Sequence, residues 1–395
     1  MLGGLLAAAV ALVLLNLGPF GPTERDKRHH YLWVGAGLLV AGACPERWVG
    51  LSLAVIVLSA LLKPPIAHST LSLPPIVAWG GVYDLLSVAL PRPGWHLAMA
   101  AAVAVCCLGI VLSTTLRVMI ITRGIDPFNV EVPLKIPFTR LAYVYHTQSP
   151  NLCAPLDNPF FAGPAFAWLL PWVAGMTLHA QGYHVIPWAF LGLILLWGMW
   201  LTGSRGAWVA ALVSAGVYVA VLMAPAAPGV LVAALGGAGA VAVVAWMGPT
   251  GRQRDACLRQ SFLRWQKFPW IVRWTGTGPW GWWFWMADGR PQQGLVPTEE
   301  AIRLREYATP GQTIRHLHND WAQAVFEHGP LILVPTLGYL ATTLWRLGHS
   351  PDPWAPAMAA GVAGIAVTCL WAHPFRMADT SLLILLWLVG AGQVR

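Results

Sequence analysis

Long apolar runs dominate this chain and constrain its fold more than any other feature. Twelve of them come close to the length of about 20 residues that a helix needs to cross a bilayer. Only 10% of the 395 residues are charged, against roughly 25% in a soluble domain. The sequence therefore excludes a soluble enzyme and predicts an all-α, polytopic membrane protein with twelve transmembrane helices. The predicted spans are 2–18, 31–44, 47–62, 73–90, 96–116, 160–179, 185–202, 206–223, 229–247, 320–346, 354–372 and 379–393.

Two polar stretches interrupt these runs and are too long to be turns. One is 117–159, and the other is 249–317, which holds ten Lys and Arg residues against five Asp and Glu. An even number of spans puts both chain termini on one side of the membrane and both stretches on the other. We expect three regions: 1–248 with transmembrane helices 1–9 (and the polar loop 117–159), 249–317 as one large loop, and 318–395 with helices 10–12.

The orientation in the membrane depends on weaker signals. The first apolar run lacks a basic segment before it and a cleavage site after it, so we interpret it as a retained helix. The short basic segment 25–28 then favours the opposite orientation under the positive-inside rule. We still expect a cytoplasmic N-terminus and two extracytoplasmic loops, because long loops translocate regardless of charge and the motifs below favour this arrangement.

Charge and cysteine usage restrict the partners. A net charge of +8 beside a bilayer suits anionic lipid headgroups and ligands that carry phosphate. Nucleic acid is the weaker interpretation, because the sequence offers no soluble domain to hold it. The six cysteines show no spacing typical of a metal site. Cys153 and Cys257 fall in the two polar stretches, and the sequence leaves open whether they pair.

The first candidate site is the segment TGSRGA at 202–207, between two strongly apolar helices. An arginine at such a boundary is costly unless it reaches water or meets an anion, so Arg205 is a functional candidate. A snorkelling arginine in a tight turn is the alternative.

The second candidate site lies in the large loop. Arg264 is followed by Lys267, by Arg273 and by the segment GTGP at 276–279. Glycines let backbone N–H groups approach an anion closely. Next to three basic side chains, this segment indicates a phosphate site, although a plain loop has the same composition.

The third candidate site is RHLHNDW at 315–321. Asn319 or Asp320 is expected to cap the following helix, which places His318 at the N-terminal end of that helix. A helix N-terminus and nearby arginines favour the neutral imidazole, which is the form that a general base needs. Arg315, His316 and Asn319 are possible supporting residues. A zinc site is not favoured, because no third ligand accompanies the two histidines.

Missing motifs narrow the chemistry further. The chain has no GxxxxGK[ST] phosphate loop and no Asp-x-Asp pair, so neither ATP-driven work nor a metal-clamped nucleotide sugar is indicated. A diphosphate would be neutralised by arginines, whose planar forks match phosphate oxygens. Together, arginines and a neutral histidine suit the transfer of a sugar from a lipid diphosphate to a hydroxyl, with no cofactor.

These segments, in this order, resemble the O-antigen ligase/polymerase family of bacterial envelope glycosyltransferases. The segments that carry the resemblance are LTGSRGA (201–207), RWQ (264–266) before GTGP (276–279), HNDWAQ (318–323) and EHG (327–329). NPFFA (158–162), which opens a predicted span, is also similar. The resemblance covers the region 150–350, and the first 150 residues match only as apolar helices.

The resemblance implies a GT-C-like helical membrane fold in the bacterial inner membrane, with the large loop and the active site facing the periplasm. It implies an undecaprenyl diphosphate-linked glycan as the donor and no metal. By motif match, Arg205 and Arg264 bind the diphosphate and His318 is the catalytic base. The ligase branch is preferred, because TGSRGA is most similar to ligases; the acceptor is then a sugar hydroxyl of lipid A–core.

Three alternatives stay open. An O-antigen or exopolysaccharide polymerase would use the same donor, and protein O-oligosaccharyltransferases share the motifs but rank third. A lipid-linked glycan transporter is the candidate from another class, although the sequence shows no internal repeat of the kind that transporters have. Glu24 and Asp26, after the first span, are rival acidic bases, although a mixed-charge loop is the better interpretation of that segment.

Overall fold

The computed structural model describes most of the predicted spans and parts of both polar stretches. The predicted spans 2–18 and 229–247 lie outside the described residues, as does 278–318. The described residues are 34–61, 67–122, 131–135, 142–146, 159–223, 258–259, 261–263, 265–277, 319–372, 374–376 and 378–394.

Helices make up nearly all of the described structure, and we number them in chain order. They are α1 Val34–Ala43, α2 Arg47–Leu61, α3 Ala67–Ala89, α4 Arg92–Thr122, α5 Pro159–His179, α6 Val185–Thr202, α7 Arg205–Met223, α8 Trp270–Thr275, α9 Asp320–His328, α10 Leu333–Gly348, α11 Ala355–Thr368 and α12 Ala378–Gln393. Single 3-10 turns precede α6, α10 and α12, at Gly182–His184, Pro330–Ile332 and Pro374–Arg376.

Five of the described helical segments are long and apolar enough to cross a membrane. They comprise α4, α5, α7, and α6 and α10 together with their 3-10 turns. The shorter apolar helices are α1, α2, α3, α11 and α12. The fold is thus that of a helical membrane protein, as the composition predicts. The total of twelve spans stays a prediction.

Helix α5 forms the centre of the bundle. The side chains of Phe166, Trp168 and Trp172 on this helix are fully buried, and α5 packs against α6, α7 and α11. Small residues let α11 approach closely, as is common between helices in lipid. Gly364 of α11 leaves room for Trp168 and Ser214, and the Ser214 hydroxyl donates to the Ala360 carbonyl at 3.0 Å.

The contacts define two ends of the bundle. At one end, Arg92 pairs with Asp352, and His179 Nε2 lies 3.1 Å from the Pro353 carbonyl oxygen. Helices α4 and α6 run parallel. Cys107 Sγ contacts the Leu191 carbonyl oxygen, and further along both helices Ile110 packs against Gly198. Both therefore finish at the opposite end, where α5, α7 and α9 begin. The described helix ends that border the polar stretches are the end of α4 and the starts of α5 and α9, and they lie at that second end.

The first polar stretch departs from the predicted boundaries. Helix α4 continues through Arg117 to Thr122. The polar stretch predicted to begin at residue 117 therefore begins after the end of this helix. Within it, Glu131–Lys135 (β1) and Ala142–His146 (β2) form an antiparallel pair, with Val132 opposite Tyr145. The all-α prediction therefore misses a short hairpin. Its valines and tyrosines are residues that favour strands.

The predicted span 320–346 is not one continuous helix. Helix α9 ends at His328, and α10 begins only at Leu333. Gly329 has φ of +78°, which few other residues tolerate, and Pro330 has no N–H to continue the helix. The chain therefore turns at Gly329. The span 320–346 is predicted from its apolar content, which does not reveal this break.

Candidate functional site

The TGSRGA segment forms the tight turn between α6 and α7. Gly203 ends α6 in the left-handed conformation (φ +62°), and its N–H bonds the Trp200 carbonyl. Ser204 caps α7, because its Oγ accepts from the Ala207 N–H at 3.4 Å. Glycine and serine are preferred at these two positions. The turn thus presents Arg205 as the first residue of α7.

Arg205 is exposed at this turn. It makes no hydrogen bond or ion pair with any residue in the described ranges, so its guanidinium is free to meet a ligand there. The predicted placement of this arginine at a helix boundary agrees with the structure.

Two other parts of the chain enclose the turn. Gly163 of α5 lies so close that a Cβ there would meet Thr202, Ser204 and Ala207. On the other side, a Cβ on Gly206 would overlap the indole nitrogen of Trp371. Trp371 belongs to the segment that follows α11. The turn is therefore held rigidly against α5 and this segment.

Helix α9 begins at the same end of the bundle. Asn319 is its N-cap, because its side chain accepts from the Ala322 N–H at 2.8 Å. The Asp320 N–H donates to the carbonyls of Cys369 (2.9 Å) and Ala372 (3.2 Å). The Asp320 carboxylate in turn accepts from the Phe375 N–H at 3.1 Å. The first residues of α9 are thus tied to the segment that contains Trp371.

The segment 369–375 therefore connects two of the three predicted sites. Trp371 contacts Gly206, next to Arg205, and the carbonyls on either side of Trp371 bond Asp320. Of the predicted site residues, the structure describes Arg205 and Asn319. His318, Arg264, Arg315 and His316 lie outside the described residues. The described parts place the chain on either side of Arg264 and immediately after His318.

The segment that follows Arg264 docks on the other end of α9. The Thr277 N–H donates to the Phe326 carbonyl at 3.0 Å, and the ring of Phe268 meets that of Phe326 at 5.6 Å in a T-shaped contact. A Cβ on Gly276 would overlap the Glu327 backbone. Helix α9 thus has the residue after His318 at its start and the Arg264 segment at its end.

This docking changes the interpretation of the glycines. We expect Gly276 to let an anion approach the backbone, but in the structure it lets a second backbone approach. Gly329 has the reciprocal role, since a Cβ there would overlap Trp274. Both residues have positive φ, +74° and +78°. Glycine is therefore required at each position for two reasons, the backbone conformation and the lack of space for a Cβ. GTGP beyond residue 277 lies outside the described residues.

Helix α9 also buries an unusual row of polar side chains. Gln323 and Glu327 are each 1% exposed and His328 is 6% exposed. Gln323 Nε2 donates to Glu327 Oε1 at 2.9 Å, and Glu327 Oε2 lies 4.0 Å from His328 Nε2. His328 Nδ1 lies 2.9 Å from Ser59 Oγ on α2. Buried polar groups are normally paired in this way.

No group of three or more His, Cys, Asp or Glu residues in the described part of the chain is arranged to hold a metal ion. The described groups at the Arg205 end include the Arg205 guanidinium and the backbone N–H groups of the first turn of α7.

Ser59 and Trp371 are not among the residues predicted from the sequence. Ser59 sits in an apolar helix and carries no signal of its contact with His328. Trp371 does have a signal, because the segment WAHPFR (371–376) interrupts two apolar runs with a histidine, a proline and an arginine. A polar interruption of this kind next to a span marks a candidate site as surely as TGSRGA does.

Comparisons with known proteins bring no relative. No model of a known protein family, no curated protein and no solved structure matches this chain. The resemblance to the O-antigen ligase/polymerase family therefore stays a hypothesis based on the short motifs.

Proposed function

We propose that the protein is a membrane glycosyltransferase that moves a glycan from undecaprenyl diphosphate to an acceptor hydroxyl. One observation supports this most directly: the segment 369–375 joins the turn of Arg205 to the first turn of α9, immediately after His318. Arg205, a cation, and Asn319, the residue that follows His318 in the chain, thus lie at the same end of the bundle.

Arg205 suits the leaving group. It is exposed and makes no hydrogen bond or ion pair within the described ranges, and it opens α7, whose N-terminus carries partial positive charge. In the proposed reaction, the bond between the sugar's anomeric carbon and the diphosphate oxygen breaks, and the electron pair leaves with the diphosphate. A guanidinium stabilises the charge that develops there.

His318 suits the acceptor. The acceptor oxygen forms the new bond to the anomeric carbon, and its proton goes to the imidazole as general base. The Asn319 cap anchors the chain directly after this histidine. Arg264 is the second proposed diphosphate ligand, and the docked segment 265–277 fixes the chain directly after it.

The preferred acceptor is lipid A–core, which makes the enzyme an O-antigen ligase; a polymerase is the alternative. Purified protein in detergent, given undecaprenyl diphosphate-linked glycan, should transfer the glycan to lipid A–core and not to a second lipid-linked glycan. The reverse preference would identify a polymerase. Donor binding without transfer to either acceptor would favour a transporter. Transfer should survive EDTA, and its loss with recovery in magnesium would refute the metal-free mechanism.

We also propose that this end of the bundle faces the periplasm of a bacterial inner membrane. Single cysteines introduced between 285 and 310 should react with impermeant thiol reagents in intact spheroplasts. The parent protein for this experiment carries serine at Cys44, which is half-buried, and at Cys153 and Cys257, which lie in the polar stretches. The native Cys106, Cys107 and Cys369 are buried, so they should add little background. Labelling that requires permeabilisation would invert the orientation and exclude the ligase proposal.

A further inference from the structure

Among the residues that the structure describes, the indole N–H of Trp371 has no hydrogen-bond partner, although the side chain is only 8% exposed. Neighbouring tryptophans are satisfied: Trp321 Nε1 donates to the Ala366 carbonyl at 3.0 Å, and Trp168 Nε1 donates to Thr368 Oγ1 at 3.1 Å. A buried donor left without an acceptor costs about 1–3 kcal/mol, so an exception of this kind requires a reason.

The position of Trp371 supplies one. Its Nε1 lies against Gly206, the second residue of α7, and this approach is possible only because Gly206 has no Cβ. Ser204 Oγ accepts from the N–H of Ala207. The N–H groups of Arg205 and Gly206 belong to the first turn, and such groups have no acceptor within their own helix.

The groups described here around the first turn of α7 are all hydrogen-bond donors. They are the guanidinium of Arg205, the first backbone N–H groups of a 19-residue helix and the indole N–H of Trp371. Such a set favours an anion, because a helix N-terminus attracts negative charge. Phosphate matches it best, since its oxygens point in several directions and accept from donors on separate elements.

We propose that Trp371 binds the donor substrate directly, by donating its indole N–H to a phosphate oxygen held at the first turn of α7 beside Arg205. This inference rests on the proposed function for the source of the phosphate, a polyprenyl diphosphate. The binding site itself rests on the buried N–H and its contact with Gly206.

Trp371→Phe removes the N–H and keeps an aromatic ring. We expect the Kd for undecaprenyl diphosphate without glycan, measured by calorimetry in detergent, to rise about tenfold, since a hydrogen bond to a charged group is worth roughly that factor or more. The variant should lose no hydrogen bond in the ligand-free protein, because the indole N–H has no partner in the described part of the chain. The melting temperature without ligand should therefore not fall for that reason.

Trp387→Phe is the matched control. Trp387 Nε1 is also buried with no partner among the described residues, but its ring packs on Gly361 in the core, between α11 and α12. This variant should leave the Kd unchanged. Equal Kd values for wild type and Trp371→Phe would overturn the proposal, as would equal weakening in both variants, which would indicate a packing effect alone.

The same measurements separate this inference from the proposed function. Inorganic pyrophosphate should be tested as a competitor of undecaprenyl diphosphate. If it competes, and if Trp371→Phe weakens its binding too, the site recognises the diphosphate alone. Binding of only the lipid-linked form, with the same loss, would still support the site and identify the lipid as the source. Trp371-dependent binding without glycan transfer would overturn the glycosyltransferase and keep the site. Absence of binding to either probe would overturn both.

Discussion

His328 Nδ1 lies 2.9 Å from Ser59 Oγ, and this hydrogen bond joins α9 to α2 across 269 positions of sequence. The Ser59 hydroxyl also contacts the Ile56 carbonyl oxygen at 2.6 Å, and a carbonyl only accepts. We therefore assign the hydroxyl hydrogen to Ile56 and the hydrogen between the two side chains to Nδ1 of His328. Ser59 thus provides the acceptor for a buried imidazole beside Glu327.

Ser59→Ala should destabilise the protein, because it leaves the His328 N–H without this acceptor in a buried position. We expect a loss of about 1–3 kcal/mol in the free energy of unfolding, measured by unfolding in detergent. Ser52→Ala is the control on the same helix, since within the described ranges the Ser52 hydroxyl bonds only its own turn, at the Trp48 carbonyl. Similar losses in the two variants would contradict the assigned bond.

Gly206→Ala should disturb the candidate site, because the added methyl group would overlap the Trp371 indole. Overpacking of this kind costs about 1–3 kcal/mol, and it should lower both the melting temperature and donor binding. Gly216 lies on the same helix, and no described atom beyond the backbone of that helix lies within 4 Å of the point where a Cβ would stand. Gly216→Ala should therefore be neutral or stabilising by up to about 1 kcal/mol; a harmless Gly206→Ala would show that Trp371 is not confined there.

Asn319→Ala should remove the cap of α9 and cost about 1 kcal/mol. Because the cap anchors the residue after His318, turnover should fall as well. Asn319→Ser keeps a capping oxygen and should restore most of both. Melting curves and transfer rates of the two variants provide the check, and equal behaviour of Ala and Ser would mean that the cap has no part in either property.

Substitutions of Arg205 and of His318 should affect donor binding and turnover differently. Arg205→Lys keeps the charge but loses the bidentate fork, so activity should remain impaired, and Arg205→Ala should weaken donor binding as well as turnover. His318→Ala should bind donor normally while turnover falls by about 10²–10⁴. Donor-binding and single-turnover assays separate the two effects.

The controls for this prediction are neighbouring and rival residues. His316→Ala should cost much less than His318→Ala. A fully active His318→Ala protein would end its assignment as base, and loss of donor binding would make it a diphosphate ligand instead. Inactivity of Glu24→Gln or Asp26→Asn beside an active His318→Ala would transfer the role of base to the first loop.

The sequence alone predicted the class of the protein and most of its helix boundaries. The predicted spans 160–179, 185–202, 206–223 and 379–393 correspond to α5, α6, α7 and α12 within one residue. This agreement has a physical reason, because the length of an apolar run is a local property that a bilayer-spanning helix requires. The Asn319 cap was predictable for the same reason, since a cap bonds the helix that follows it.

Tertiary structure decided how the site is assembled. The contact of Gly206 with Trp371, the bonds of Asp320 to the segment 369–375 and the bond of His328 to Ser59 each join residues far apart in sequence. No apolar pattern records such pairs, because each depends on which helices become neighbours and how closely they pack. The short motifs indicated which residues were unusual in an apolar chain, and the packing of α7, α9 and α11 determined which of them meet.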